Sequence, residues 1–142
     1  MRIKPIILIA EDDDDTRTMM RRLLEMKGYR ILEAKDGQQV VDITLRERVG
    51  LILMDLGLPN LDGLKTTRCL RLNKRTNEIP IVIVSGWDRV IHEEAAREAG
   101  CNEYLHKPFD FDRLDSVLNH YLPISEMSPP LTPRAKAVTT GL

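Results

Sequence analysis

An α/β fold of five β/α repeats around a parallel sheet is predicted by three features of this 142-residue chain. Short apolar runs alternate with stretches of helical periodicity, the pattern of βα units. The runs are apolar at nearly every position, as strands covered on both faces tend to be. Each also leads into a charged or hydroxyl-bearing residue. A parallel sheet gathers the carboxyl ends of its strands along one edge, where open α/β folds place their ligands.

The elements follow in order. Ile6-Ile7-Leu8-Ile9-Ala10 is the first strand and runs into Glu11-Asp12-Asp13-Asp14-Asp15. Met20, Leu23, Leu24 and Lys27 mark one face of a first helix, closed by Gly28 at its C-terminus. Tyr29 to Ala34 is the second strand and has the weakest pattern of the five. Val40, Ile43 and Thr44 mark a second helix after Asp36-Gly37. Leu51-Ile52-Leu53-Met54 forms the third strand and delivers Asp55. A third helix carries Leu64, Thr67, Leu70 and Leu72, and a fourth strand, Ile81 to Val84, leads to Ser85-Gly86. Val90, Ile91, Ala95 and Ala99 mark the fourth helix, closed by Gly100. Tyr104-Leu105 is the fifth strand and leads through His106 to Lys107-Pro108. Phe111, Leu114, Val117, Leu118 and Tyr121 mark the fifth helix.

Size and composition set the outer limits. The chain is long enough for one domain with a sizeable core and hardly for two. A formal net charge of -1 provides no global field toward nucleic acid or an anionic membrane. No apolar run is long enough to span a bilayer, and no signal-peptide core follows the basic N-terminus. Cys69 and Cys101 make no disulfide framework and read as reduced thiols of a cytoplasmic protein. Beyond Leu122, Pro123, Pro129, Pro130 and Pro133 with Ser, Thr and Ala between them cannot bury enough apolar surface to fold. Residues 123–142 are expected to be a disordered tail, or a linker to a further domain.

The strand ends bring together groups with complementary chemistry. Asp13, Asp14 and Asp15 suit the positive end of the next helix and need do nothing more. Glu11 and Asp12 sit earlier, on the edge itself, where adjacent carboxylates repel. A hard dication such as Mg²⁺ relieves that repulsion. Near such an ion, Asp55 is placed to act as a nucleophile toward phosphorus. Ser85 can donate to a phosphoryl oxygen and Lys107 can neutralise another. Phosphoryl transfer needs chiefly positioning and charge compensation, and this set supplies both.

In that order, the segments Leu8-Ile9-Ala10-Glu11-Asp12-Asp13, Met54 to Gly63, Val84-Ser85-Gly86 and Tyr104 to Phe109 resemble the response-regulator receiver domains of two-component signalling. The resemblance covers residues 4–122 and implies a flavodoxin-like doubly wound sheet of strand order 2-1-3-4-5. It implies that Asp55 accepts a phosphoryl group from a phosphohistidine on a sensor histidine kinase or histidine phosphotransfer protein. Asp12 would hold Mg²⁺ directly and Glu11 through water, with Asp55 and the Gly57 carbonyl as further ligands. Ser85 would be the switch hydroxyl and Tyr104 the aromatic that follows it inward. Lys107 would pair with the phosphoryl group, and the Lys107–Pro108 bond would be cis.

Two positions depart from the family pattern. Gly57 replaces a side chain that overhangs the phosphoryl group, and Trp87 is bulkier than most occupants of its position. Both would tune the lifetime of the phosphorylated state. Output is expected through contact with a downstream protein, as in stand-alone chemotaxis-type regulators, using the face of helix four, strand five and helix five, about residues 88–121. No direct nucleic-acid or membrane binding is expected. Two rival readings are open. Asp12-Asp13-Asp14-Asp15-Thr16 fits the first motif of haloacid-dehalogenase-type phosphatases, although Asp110 and Asp112 open a helix where that family needs another strand-end acidic pair. The other rival is an inactive receiver serving only as an interaction module. His92, His106 and His120 show no ligand spacing.

Overall fold

The computed structural model describes residues 4–86, 89–108 and 110–124. Trp87, Phe109 and residues 125–142 of the expected tail therefore lie outside the described residues. Five strands and five helices alternate: β1 (Ile6–Ala10), α1 (Asp14–Met26), β2 (Arg30–Ala34), α2 (Gly37–Arg46), β3 (Leu51–Asp55), α3 (Gly63–Leu72), β4 (Ile81–Ser85), α4 (Arg89–Ala99), β5 (Glu103–His106) and α5 (Phe111–Tyr121). The strands form one parallel sheet in the order β2-β1-β3-β4-β5. The sequence-derived order is thereby met.

The unbroken apolar runs follow from two cores, one on each face of the sheet. Side chains alternate between the faces along each strand. Leu8, Ile52, Met54, Ile81, Ile83 and Tyr104 join Val40 of α2, Leu70 of α3 and Ala96 of α4. Ile7, Ile9, Leu51, Leu53, Val82, Val84 and Leu105 join Met20 and Leu24 of α1 and Leu114, Val117 and Leu118 of α5. β1, β3 and β4 are thus apolar at both parities until they reach the carboxyl edge.

Four of the helices, α1, α2, α3 and α5, begin where an aspartate can satisfy their free N–H groups. Asp13, Asp36, Asp62 and Asp110 each accept a hydrogen bond from the backbone N–H three residues on. Such a cap contributes about 1 kcal/mol. Gly28 and Gly100 lie beyond the ends of α1 and α4 with φ of +105° and +116°, a region in which other side chains are strained. Gly63, at the start of α3, serves a different end. A Cβ there would fall 2.6 Å from the Asp55 carbonyl oxygen, so only glycine lets α3 begin this close to the end of β3.

Two helix-face expectations are corrected. Leu72 is 86% exposed, because at 100° per residue it lies about 200° around α3 from Leu70 and cannot share its face. Phe111 is 50% exposed, being the first residue of α5, where it overhangs a groove instead of entering the core. Val90 and Ile91 belong to α4, but their side chains lie outside the description. The Lys107–Pro108 bond is cis.

Candidate functional site

The carboxyl edge carries the site. Glu11 and Asp12 leave β1, Asp55 ends β3, Ser85 ends β4, and Lys107 follows β5. Sheet register does the positioning: Ala10 lies beside Met54, Asp55 beside Val84, and Ser85 beside His106. The Lys107 N–H donates to the Ser85 carbonyl at 2.7 Å, tying the last strand to the fourth just below the site.

Glu11, Asp12 and Asp55 each offer a carboxylate oxygen within 4.8 Å of the others. It is the one such group of three or more potential metal-binding side chains among the described residues. Glu11 is 5% exposed, Asp55 half-buried and Asp12 exposed, so the cluster runs from the protein interior to solvent. Burial, and then the Glu11 charge, push the Asp55 carboxyl above its ordinary value. Lys107 and the Gly57 backbone N–H pull it the other way. The donor set is all oxygen and anionic, and one ammonium stands against three carboxylates. A hard dication fits that imbalance.

Lys107 is held by Glu11, with Nζ 3.0 Å from Oε1, and stands 3.9 Å from Asp55 Oδ1. The other Glu11 oxygen accepts the Asp13 N–H at 3.2 Å. Ser85 is buried at the end of β4. Tyr104 is 2% exposed, and its hydroxyl is buried without a hydrogen-bond partner. Gly57 is exposed beside Asp55. The other acids have local duties. Asp13 caps α1 and Asp14 pairs with Arg17 at 2.5 Å. Asp110 caps α5, with Asp112 in its first turn. No second acidic group therefore joins the edge among the described residues, as a haloacid-dehalogenase-type site would need.

Two features were not read from the sequence. One is a groove of about 420 Å³ between α1 and α5, lined by Met19, Met20, Leu23, Phe111 and Leu114 and reaching Lys107 and Pro108. The other is Arg17, a buried guanidinium on α1. Its signal was available: Arg17, Met20 and Leu24 follow the i, i+3, i+7 spacing of the buried face.

Comparison with known proteins places this geometry. Residues 7–119 match the model of the response regulator receiver domain. The polar-differentiation response regulator DivK of Brucella anthropi is 31% identical over 116 residues, spanning 82% of this chain and 94% of that protein. A receiver domain of the sensor histidine kinase PA1611 from Pseudomonas aeruginosa, solved with a magnesium ion coordinated in its active-site cleft, is 34% identical. It superposes with a TM-score of 0.78 over 84% of this chain and 98% of that one. A sensor protein from Polaromonas sp. JS666 is 30% identical, with a TM-score of 0.77 over 89% and 100% of the two chains. The family match spans the same β1-to-α5 unit whose edge gathers Glu11, Asp12, Asp55 and Lys107, and the chain belongs to the response regulator receiver domains of two-component signalling.

Proposed function

We propose that Asp55 is the phosphoacceptor of this receiver domain and that the donor is a phosphohistidine on a sensor histidine kinase or histidine phosphotransfer protein. An Asp55 carboxylate oxygen attacks phosphorus, the P–N bond to the imidazole breaks, and an acyl phosphate forms on Asp55. The observation that carries this reading is the placement of a half-buried carboxylate within 4.8 Å of two others and 3.9 Å from a lysine. Asp12, Asp55 and the Gly57 carbonyl would hold Mg²⁺, which supplies charge neutralisation at the phosphoryl oxygens. Glu11 suits a place one remove from the ion, since both its oxygens already accept hydrogen bonds. Lys107 compensates phosphoryl charge, and Ser85 donates its hydroxyl to a phosphoryl oxygen.

Movement of Ser85 toward the phosphoryl group draws on Tyr104, and the change is read at α4, β5 and α5 by a downstream protein. Gly57 and Trp87 tune the lifetime of the phosphorylated state. The apolar groove between α1 and α5 is the place for the donor: it shares Lys107 with the site, so a histidine-bearing helix seated there presents its phosphoryl group to Asp55. The domain signals and is no classical enzyme, its chemistry being confined to its own Asp55. A cytoplasmic site of action agrees with the absence of any helix long and apolar enough to cross a membrane among the described residues.

The test is labelling by acetyl phosphate with Mg²⁺ present. Asp55→Asn is expected to abolish label. Full label on that variant would overturn the assignment.

A further inference from the structure

Arg17 is 6% exposed, and its guanidinium spends its donors on three different segments. Nη1 donates to the Glu11 backbone carbonyl at 2.9 Å, Nε to Glu33 Oε1 at 2.7 Å, and Nη2 to Asp14 Oδ1 at 2.5 Å. Glu33 belongs to β2 and Asp14 opens α1. Glu33 also accepts from Arg21 on the next turn of α1, so the anchor on β2 is itself fixed. Glu11 is the residue so held: its N–H donates to Ala34 O at 3.0 Å, and its carboxylate is engaged by Lys107 and by the Asp13 N–H. Arg17 supplies the hydrogen bond on its carbonyl side, the point where the chain turns from β1 toward Asp12 and Asp13.

A buried arginine needs its donors satisfied and its charge balanced, and here two carboxylates and one carbonyl do both. A planar fork meets three acceptors at fixed angles, which a lysine cannot do. We propose that Arg17 is a positioning residue for the cation site, holding the loop after β1 in the form that aims the Glu11 and Asp12 carboxylates at Asp55. The proposal rests on the reading of Glu11, Asp12 and Asp55 as the divalent-cation site.

Position and charge make opposite predictions. If Arg17 acts only as a positive charge near the acids, removing it strengthens Mg²⁺ binding. If it positions the loop, removing it weakens binding, as loss of groups that orient metal ligands does by about 10- to 100-fold. The experiment is calorimetric titration of the full chain with Mg²⁺ for wild type, Arg17→Met, Arg17→Lys and Glu33→Gln, with folding checked by circular dichroism. Arg17→Met is expected to weaken Mg²⁺ binding at least about tenfold, and Arg17→Lys to recover little of it, since an ammonium keeps the charge but not the fork. Glu33→Gln keeps an acceptor while deleting a charge, and is expected to stay within about threefold of wild type. In the metal-free proteins, Arg17→Met is expected to speed amide exchange at Asp12 and Asp13 about tenfold over the change at β3 amides. Should Arg17→Met not fold, Arg17→Lys carries both measurements.

Unchanged or tighter Mg²⁺ binding in Arg17→Met and Arg17→Lys would overturn the proposal, as would a Glu33→Gln effect as large as that of Arg17→Met. Wild type that binds no Mg²⁺ would overturn it together with the cation-site reading. Label on Asp55 is scored separately: its absence in a wild type that binds Mg²⁺ rejects the phosphoacceptor reading and leaves the positioning role standing.

Discussion

Lys107 Nζ lies 3.0 Å from Glu11 and 3.9 Å from Asp55, so the site lysine is committed first to Glu11 and not to the proposed phosphoacceptor. A phosphoryl group on Asp55 must win Lys107 from Glu11, or share it. Glu11→Gln weakens that competing pair. It is also expected to lower the Asp55 pKa, because the Glu11 charge is second only to burial in raising it. Carbon-detected NMR titration of the Asp55 carboxyl reads this directly. An unchanged or higher value would show that the Glu11 charge does not reach Asp55.

The raised Asp55 pKa has a stability consequence whose sign is fixed. A carboxyl with a folded pKa above its unfolded value binds its proton more tightly when folded, so stability is lost as pH rises through the folded value. Metal-free Asp55→Asn is therefore expected to be more stable than wild type at pH 7. Carboxylate oxygens within 4.8 Å of each other repel by roughly 3 kcal/mol at an effective dielectric near 20, and Lys107 offsets part of this, leaving a gain of roughly 1–2 kcal/mol. The gain should vanish below pH 3.8, the ordinary value for the group. Urea denaturation at both pH values checks it, and a gap that widens in acid would contradict the sign.

Mg²⁺ is expected to raise the melting temperature of wild type, since the proposed cation site is assembled only in the folded chain. The gain at a concentration 100 times the dissociation constant is about 2.7 kcal/mol. Asp12→Ala should be more stable than wild type without metal and insensitive to it. Equal responses of the two proteins in a thermal melt would place the metal elsewhere.

Tyr104 buries a hydroxyl that no partner satisfies. Such a group costs about 1–3 kcal/mol, and removing it with the ring retained costs nothing in shape. Tyr104→Phe should thus match or exceed wild-type stability, by up to about 1 kcal/mol, in chemical denaturation. A clear loss of stability would mean that the hydroxyl has a partner in solution.

If the groove between α1 and α5 seats the donor as proposed, protein donors and small ones should respond differently to a change in its lining. Met19 is 55% exposed at its rim, with Phe111 opposite. Met19→Asp is expected to slow phosphotransfer from a cognate histidine donor at least about tenfold, as loss of an interface anchor does, and to leave labelling by acetyl phosphate unchanged. Equal slowing with both donors would remove the groove from the docking step.

Most of this was legible from residues alone because a parallel sheet covered on both faces writes itself plainly: continuous apolar strands, then a polar residue at each carboxyl end. Glu11, Asp12, Asp55 and Lys107 were placed together by that logic, and the structure brings them together. What escaped depends on angles and long-range partners. Leu72 looked like part of an apolar face until the helical rotation from Leu70 was counted. Arg17 drew no reading at all, because its partners Glu11 and Glu33 lie at the ends of two different strands. The grip of Glu11 on Lys107 spans 96 positions of sequence, and no local pattern encodes it.

The alternation of the two cores also restricts how this chain can change in length. Along β3, Leu51 and Leu53 face α1 and α5 while Ile52 and Met54 face α2, α3 and α4, so Asp55 has the parity of the α1/α5 side. Along β4, Ile83 belongs to the opposite core, and Ser85 shares its parity with the side that holds Tyr104. Asp55 and Ser85 therefore approach the edge from opposite layers of the domain. A single-residue insertion or deletion within either strand would reverse its parity and exchange every buried side chain with its neighbour. The apolar residues would survive that exchange better than the chemistry would, since both layers accept valine, leucine and isoleucine but only one accepts Asp55. A change in length is better accommodated in a loop at the opposite rim, such as residues 73–80 between α3 and β4, where Lys74, Arg75 and Asn77 border an open hollow and no strand parity is altered.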